Sequence, residues 1–328
     1  MSDIDRLVAE NRQQIRQVGG RFVEVDSNRD RDLKFGPNIF VVDVDATVYK
    51  RSTGSQVIFG HPDPDHGFGR GTFGDDRGDW SEAGANTSYD VVFTKQGRRA
   101  VIRALDGQEG VVTRSKAGTG SDDPVTADTS LTDVYSDVPT VNERPSNNDV
   151  QTKGVHDAVD WVGDPVEFGV FDAAGRLLAR VVVDGDWSIA NDDEVRIDVT
   201  LAFEGDGVGN SVITDDGEAA VADAMANKFE VTGPVEFGFG SGDTDFSKSD
   251  SSLTTEEFSK PNERNIDRDR MVAKTHVFER EPQNAQPVDI SEMAVFDDDG
   301  RMIWATTFRE FTKRDNAGFN AENEFRVS

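Results

Sequence analysis

Val166-Glu-Phe-Gly-Val-Phe-Asp-Ala-Ala-Gly-Arg-Leu-Leu-Ala-Arg-Val181 reads as two strands folded about a tight turn. Apolar residues run to Phe171, Asp172 and Gly175 supply turn chemistry, and apolar residues resume at Leu177. The pattern returns as Ile290-Ser-Glu-Met-Ala-Val-Phe-Asp-Asp-Asp-Gly-Arg301, with Gly300 lying 125 positions after Gly175. The spacing predicts hairpins from Phe171 to Val181 and from Phe296 to Phe308.

Working outward, two further blocks recur in the same order. Val92-Phe-Thr94-Lys-Gln-Gly97-Arg-Arg-Ala100-Val101-Ile-Arg-Ala104-Leu105 is matched by Val212-Ile-Thr214-Asp-Asp-Gly217-Glu-Ala-Ala220-Val221-Ala-Asp-Ala224-Met225. Gly118-Thr-Gly120 followed by Asp128-Thr-Ser-Leu131-Thr132 is matched by Gly240-Ser-Gly242 followed by Asp250-Ser-Ser-Leu253-Thr254. Three ordered blocks whose offset grows slowly from 120 to 125 point to two tandem domains, 91–206 and 207–328, far above the repeat length of a solenoid.

In each copy the threonine sits where an N-cap hydroxyl would satisfy free N–H groups, and apolar residues follow at helical spacing. One short amphipathic helix per copy is expected. Val195-Arg-Ile-Asp-Val-Thr-Leu-Ala-Phe203 alternates apolar and polar residues, the pattern of a half-buried strand, and Phe319 to Val327 is its weaker counterpart. The predicted fold class is mainly β (α+β): antiparallel β-sandwich-like domains, two of them tandem duplicates with one helix each.

Ahead of the repeats, residues 1–20 carry Ile4, Leu7, Val8 and Ile15 at roughly helical spacing and predict an amphipathic helix suited to self-assembly. Residues 21–90 predict a small anchoring β domain with long loops, built on Phe22–Val25 and Ile39–Tyr49.

Composition bounds the function. The chain of 328 residues holds 63 Asp and Glu against 35 Lys and Arg, a formal net charge of −28. Such self-repulsion is relieved by molar salt, and the preference for 25 Arg over 10 Lys fits a halophilic surface. A phosphate backbone would be repelled, so nucleic acid is excluded as an expected partner. There is no cysteine, which removes disulfides, thiolate zinc sites and cysteine nucleophiles. Neither an apolar leader nor a membrane span is evident, so a soluble chain is expected.

Two clusters offer cation ligands. His61, Asp63, Asp65 and His66 bring two imidazoles and two carboxylates within six residues, a set suited to a divalent metal. Asp26, Asn28, Asp30 and Asp32 alternate like a calcium loop, yet Arg31 stands where the turn needs glycine and Pro37 where a bidentate Glu is needed, which leaves only loose cation binding. Gly69-Arg-Gly-Thr-Phe-Gly74 matches a dinucleotide fingerprint without the strand and helix that give it meaning. Asp297-Asp-Asp-Gly300 aligns with Asp172-Ala-Ala-Gly175, so the shared feature is the turn. His156 and His276 have no nucleophile nearby in sequence, and no catalytic residues or organic cofactor are assigned.

The order of motifs resembles a family of structural proteins from tailed bacteriophages and tailed archaeal viruses. Thr94/Gly97/Ala100, Gly118/Gly120, Asp128/Thr129/Leu131, Glu167/Gly169/Phe171 and Leu178-Ala-Arg180 carry that resemblance. The second copy departs from it at Glu292-Met-Ala-Val-Phe296, at Asp250-Ser and at Met302-Ile-Trp-Ala305. The resemblance implies a non-enzymatic component of a haloarchaeal virion, assembled in the host cytoplasm: a capsid turret or decoration, or a tail fibre or baseplate part. Its partners would be further copies of itself, capsid or tail proteins, and a host surface glycoprotein. The alternative is a cellular or secreted glycan-binding β-sandwich using Trp161, Trp187 and Trp304.

Overall fold

The computed structural model describes residues 31–52, 80–82, 88–108, 111–157, 166–184, 189, 193–226, 233–282, 287–314 and 318–328. The helix expected over 1–20 lies outside them. The chain begins with β1 (Arg31–Ser52) and β2 (Ser81–Glu82). A first half follows: β3 (Ser88–Phe93), α1 (Lys95–Leu105), β4 (Val112–Gly118), β5 (Ser136–Glu143), β6 (Asp149–Asp157), β7 (Glu167–Asp172), β8 (Leu177–Asp184) and β9 (Asp193–Asp206). The second half comprises β10 (Ser211–Ile213), α2 (Asp215–Ala226), β11 (Glu236–Gly240), β12 (Glu256–Pro261), β13 (Glu263–Asp267), β14 (Arg270–Val277), β15 (Val288–Phe296), β16 (Met302–Lys313) and β17 (Phe319–Val327). The fold is mainly β, with a helix in each half where the spacing placed it.

Strand order is the same in both halves when read outward from β1. On one side it runs β9-β6-β5-β4-β7-β8-β3; on the other it runs β17-β14-β13, then β12-β11-β15-β16-β10. In the first half β5 turns the corner by itself, pairing β4 through Ser136–Pro139 and β6 through Thr140–Glu143. The second half divides that task between β12 and β13 on either side of Asn262, whose N–H donates to Val235 O.

Both predicted hairpins form. Asp172 Oδ1 accepts from the N–H groups of Ala174 and Arg176, Asp297 Oδ1 accepts from those of Asp299 and Arg301, and Gly175 and Gly300 take φ of 75° and 78°. An aspartate able to bond its own turn and a residue free of a Cβ penalty are what such a turn requires.

β1 changes the domain picture. Its first part runs parallel to β17 from Arg31 to Phe40, and from Ile39 to Ser52 it runs antiparallel to β9. The stretch expected to form a separate anchoring domain is thus, from residue 31 to 52, the strand between the two halves. One apolar cluster continues across them, taking in Phe40 and Val48 of β1, Val101 and Leu105 of α1, Val221 and Met225 of α2, and Phe319 and Phe325 of β17. The boundary expected at 206/207 falls between β9 and β10, but the core does not divide there.

Two sequence expectations need correction in detail. The first part of β9 is more buried than a half-buried strand: Val195, Ile197, Val199 and Leu201 are at most 1% exposed, and on the polar side Glu194 and Asp198 retain only 8% and 6%, while Thr200 and Ala202 are half-buried and Glu204 is exposed. The polar side is covered by Arg196, whose guanidinium lies over the rings of Tyr49 and Trp80 and pairs with Asp198 at 2.9 Å. Helix α2 is not a simple amphipathic surface helix, because Ala220, Val221, Ala222, Ala224, Met225 and Ala226 are all buried.

Candidate functional site

The repeated motif residues meet between the helix start, the Gly-x-Gly loop and the hairpin. Thr94 Oγ1 accepts from Gly97 N–H at 3.0 Å and donates to Leu177 O at 2.6 Å, so one hydroxyl caps α1 and ties it to β8. Thr214 does the same, accepting from Gly217 N–H and donating to Met302 O. A Cβ on Gly97 would collide with Leu178 O, and one on Gly217 with Ile303 O. The third helical residue is glycine because the helix rests on hairpin backbone.

Beyond the cap lies a buried ionic cluster. Glu167, fully buried at the start of β7, accepts through Oε1 from Thr132 N–H. Its Oε2 takes Arg180 Nε at 2.9 Å, and Arg180 Nη1 donates to Asp128 Oδ2 at 2.9 Å. Burial pulls the Arg180 pKa down, but hydrogen bonds to Asp128 and Glu167 outweigh it and hold the guanidinium above its ordinary range. Gly118 and Gly120 make room: a Cβ on Gly120 would stand 2.6 Å from Oε2. Every residue of this cluster comes from a motif that the sequence singled out, yet the ion pair itself was not foreseen. A Glu next to an apolar strand run, followed by an Arg in the returning strand, was the available signal.

The second half keeps the acids and loses the base. Glu292 is fully buried and Thr255 N–H donates to its Oε1 at 3.0 Å, while Oε2 has no hydrogen-bond partner among the described residues. Asp250 takes the place of Asp128, its Oδ2 accepting from Ser247 N–H at 2.7 Å as Asp128 Oδ2 accepts from Val125 N–H at 2.9 Å. Opposite, Ala305 pairs with Ala294 across the β15–β16 hairpin as Arg180 pairs with Gly169 across β7–β8.

A second buried group sits where β4, β5 and β6 meet. His156 is fully buried, with Nε2 2.9 Å from Ser115 Oγ and Nδ1 2.9 Å from Ser136 Oγ. One ring nitrogen therefore donates and the other accepts. Burial pushes the imidazole pKa down to about 4, only partly opposed by the charge of Asp137. A neutral, enclosed histidine between two serines fixes the strand corner; it is not placed to work on a substrate from solution. Sequence distance hid it, since Ser115 is 41 positions away.

The cation clusters read from sequence are mostly out of view. His61, Asp63, Asp65 and His66, together with Asp26, Asn28 and Asp30, lie outside the described residues. Asp32 stands within β1 and accepts from Asn320 Nδ2 at 2.7 Å, so it is spent in the β1–β17 ladder. His276 Nδ1 donates to Asn320 Oδ1 at 2.6 Å in the same chain of contacts. Asp297, Asp298 and Asp299 bring carboxylates within 4.8 Å of one another. Asp297 is already taken by its turn and by Arg301 Nε at 2.7 Å. Of the tryptophans considered for sugar stacking, Trp304 is fully buried against Phe35, and Trp161 and Trp187 lie outside the described residues.

Among the described residues no helix is long and apolar enough to cross a membrane. The chain matches no protein-family model, no curated protein and no solved structure.

Proposed function

We propose that the protein is a structural component of a haloarchaeal tailed-virus particle, an exposed appendage such as a capsid turret, decoration or tail-fibre part. The observation that carries this reading is the use made of the motif residues. Thr94, Gly97, Gly118, Gly120, Asp128, Glu167 and Arg180 lock helix, loop and hairpin to each other instead of lining a cleft. Residues spent in this way specify a rigid body, and a rigid β body with a strongly acidic, arginine-favouring composition suits a surface standing in molar salt. In this reading the chain is not an enzyme, and it acts through contacts with its own copies, with virion proteins and with a host surface glycoprotein.

The test is immunogold labelling of tailed particles purified from a haloarchaeal lysate in molar salt. Label at fivefold vertices or along the tail supports an appendage. Label confined to cells, with clean particles, overturns the proposal.

A further inference from the structure

The two halves differ at one buried point in a way that calls for a ligand. In the first half Asp128 and Glu167 share the guanidinium of Arg180. In the second, Asp250 and Glu292 remain in the corresponding places while Ala305 stands where the arginine would be. Glu292 Oε2 is enclosed and has no partner among the described residues. An ionised carboxylate taken from water without a counter-charge is heavily penalised. Its surroundings add to the cost, because Ala305 belongs with Phe246, Leu253, Ala294 and Met302 to a small apolar cluster.

We propose that Glu292 Oε2 binds a monovalent cation of the medium, sodium or potassium, which does in the second half what the Arg180 guanidinium does in the first. The charge replaced is a single positive one. Thr254 Oγ1 and Glu292 Oε2 both border Gly242, so that a Cβ there would collide with the carboxylate oxygen and lie 2.7 Å from the hydroxyl. The loop is held in place by Ser291, whose Oγ accepts from Gly242 N–H at 2.9 Å and donates to Gly242 O at 2.6 Å. Gly242, against which the oxygen lies, is itself partly exposed. The inference does not rest on the virion reading.

The experiment compares thermal midpoints of the full chain in sodium or potassium chloride with those in choline chloride at equal ionic strength. A cation bound only by the folded state raises the midpoint, here by about 2 °C if the salt is some tenfold above its dissociation constant. Wild type should show the shift, Glu292→Gln and Ala305→Arg should lose it, and Arg180→Ala should enlarge it by creating a second orphaned carboxylate. Should Ala305→Arg not fold, sodium-23 line broadening on the folded wild type and on Glu292→Gln decides: saturable broadening present in the first and lost in the second supports the site. An equal sodium-over-choline shift in wild type and Glu292→Gln, or stabilisation by millimolar calcium that choline salts do not give, would overturn it.

Discussion

The halves of this molecule share strand order, helix caps and turn aspartates, but they neutralise the carboxylate behind the Gly-x-Gly loop differently. The first carries its counter-charge in the chain, as Arg180 between Glu167 and Asp128. The second has Ala305 in that place and leaves one oxygen of Glu292 without a partner among the described residues. Both halves share the position of the carboxylate and the glycines that admit it, whereas the group opposite it differs.

Making the first half like the second should be the most damaging change. Arg180→Ala should lower stability by about 3–5 kcal/mol, since it leaves two acids facing a buried site without a cation. Denaturant unfolding in choline chloride, where no small cation can stand in for the guanidinium, measures it, and a loss below about 1 kcal/mol would mean that Glu167 never depended on the arginine.

Next in size is a pH effect confined to the first half. His156 has its pKa lowered to about 4 from an ordinary 6.5, and Val277 takes the corresponding place opposite Phe319 in the second half. The folded state resists protonation more than the unfolded state does. Stability from this group is thus complete above pH 6.5, falls as the pH drops toward 4, and is constant below that. The full loss is about 3 kcal/mol. Melts from pH 7 to pH 4 should show a shallower acid limb in His156→Gln than in wild type, and parallel limbs would rule the histidine out as its source.

The smallest effect should be shared. Thr94→Ala and Thr214→Ala each remove a helix cap that also ties the helix to a hairpin, at about 1–2 kcal/mol apiece. Urea midpoints that fall equally for the two variants would place the caps in the common scaffold; a several-fold inequality would show that one half carries more of the stability.

These differences also show what the sequence could and could not reveal. The turns at Asp172 and Asp297 and the caps at Thr94 and Thr214 are local, settled within five residues of the group concerned, and so they were legible. The last strand of each half, β9 and β17, was also legible from alternation, although alternation misjudged the burial of β9 because Tyr49 and Trp80 approach from elsewhere in the chain. The role of β1 was not legible: its partners lie up to 288 positions away, as in Arg31 with Phe319, and only the fold brings them together. The Ser115–His156–Ser136 contact was hidden for the same reason. Glu167 and Arg180 were visible as motif members, but their pairing depends on the hairpin register that sets Gly169 opposite Arg180.

The most direct test of the functional account is the native mass of the full chain in molar potassium chloride, by light scattering or mass spectrometry. The account predicts a closed symmetric homo-oligomer, a trimer for a fibre or a pentamer for a vertex turret. A monomer at every concentration examined would contradict it.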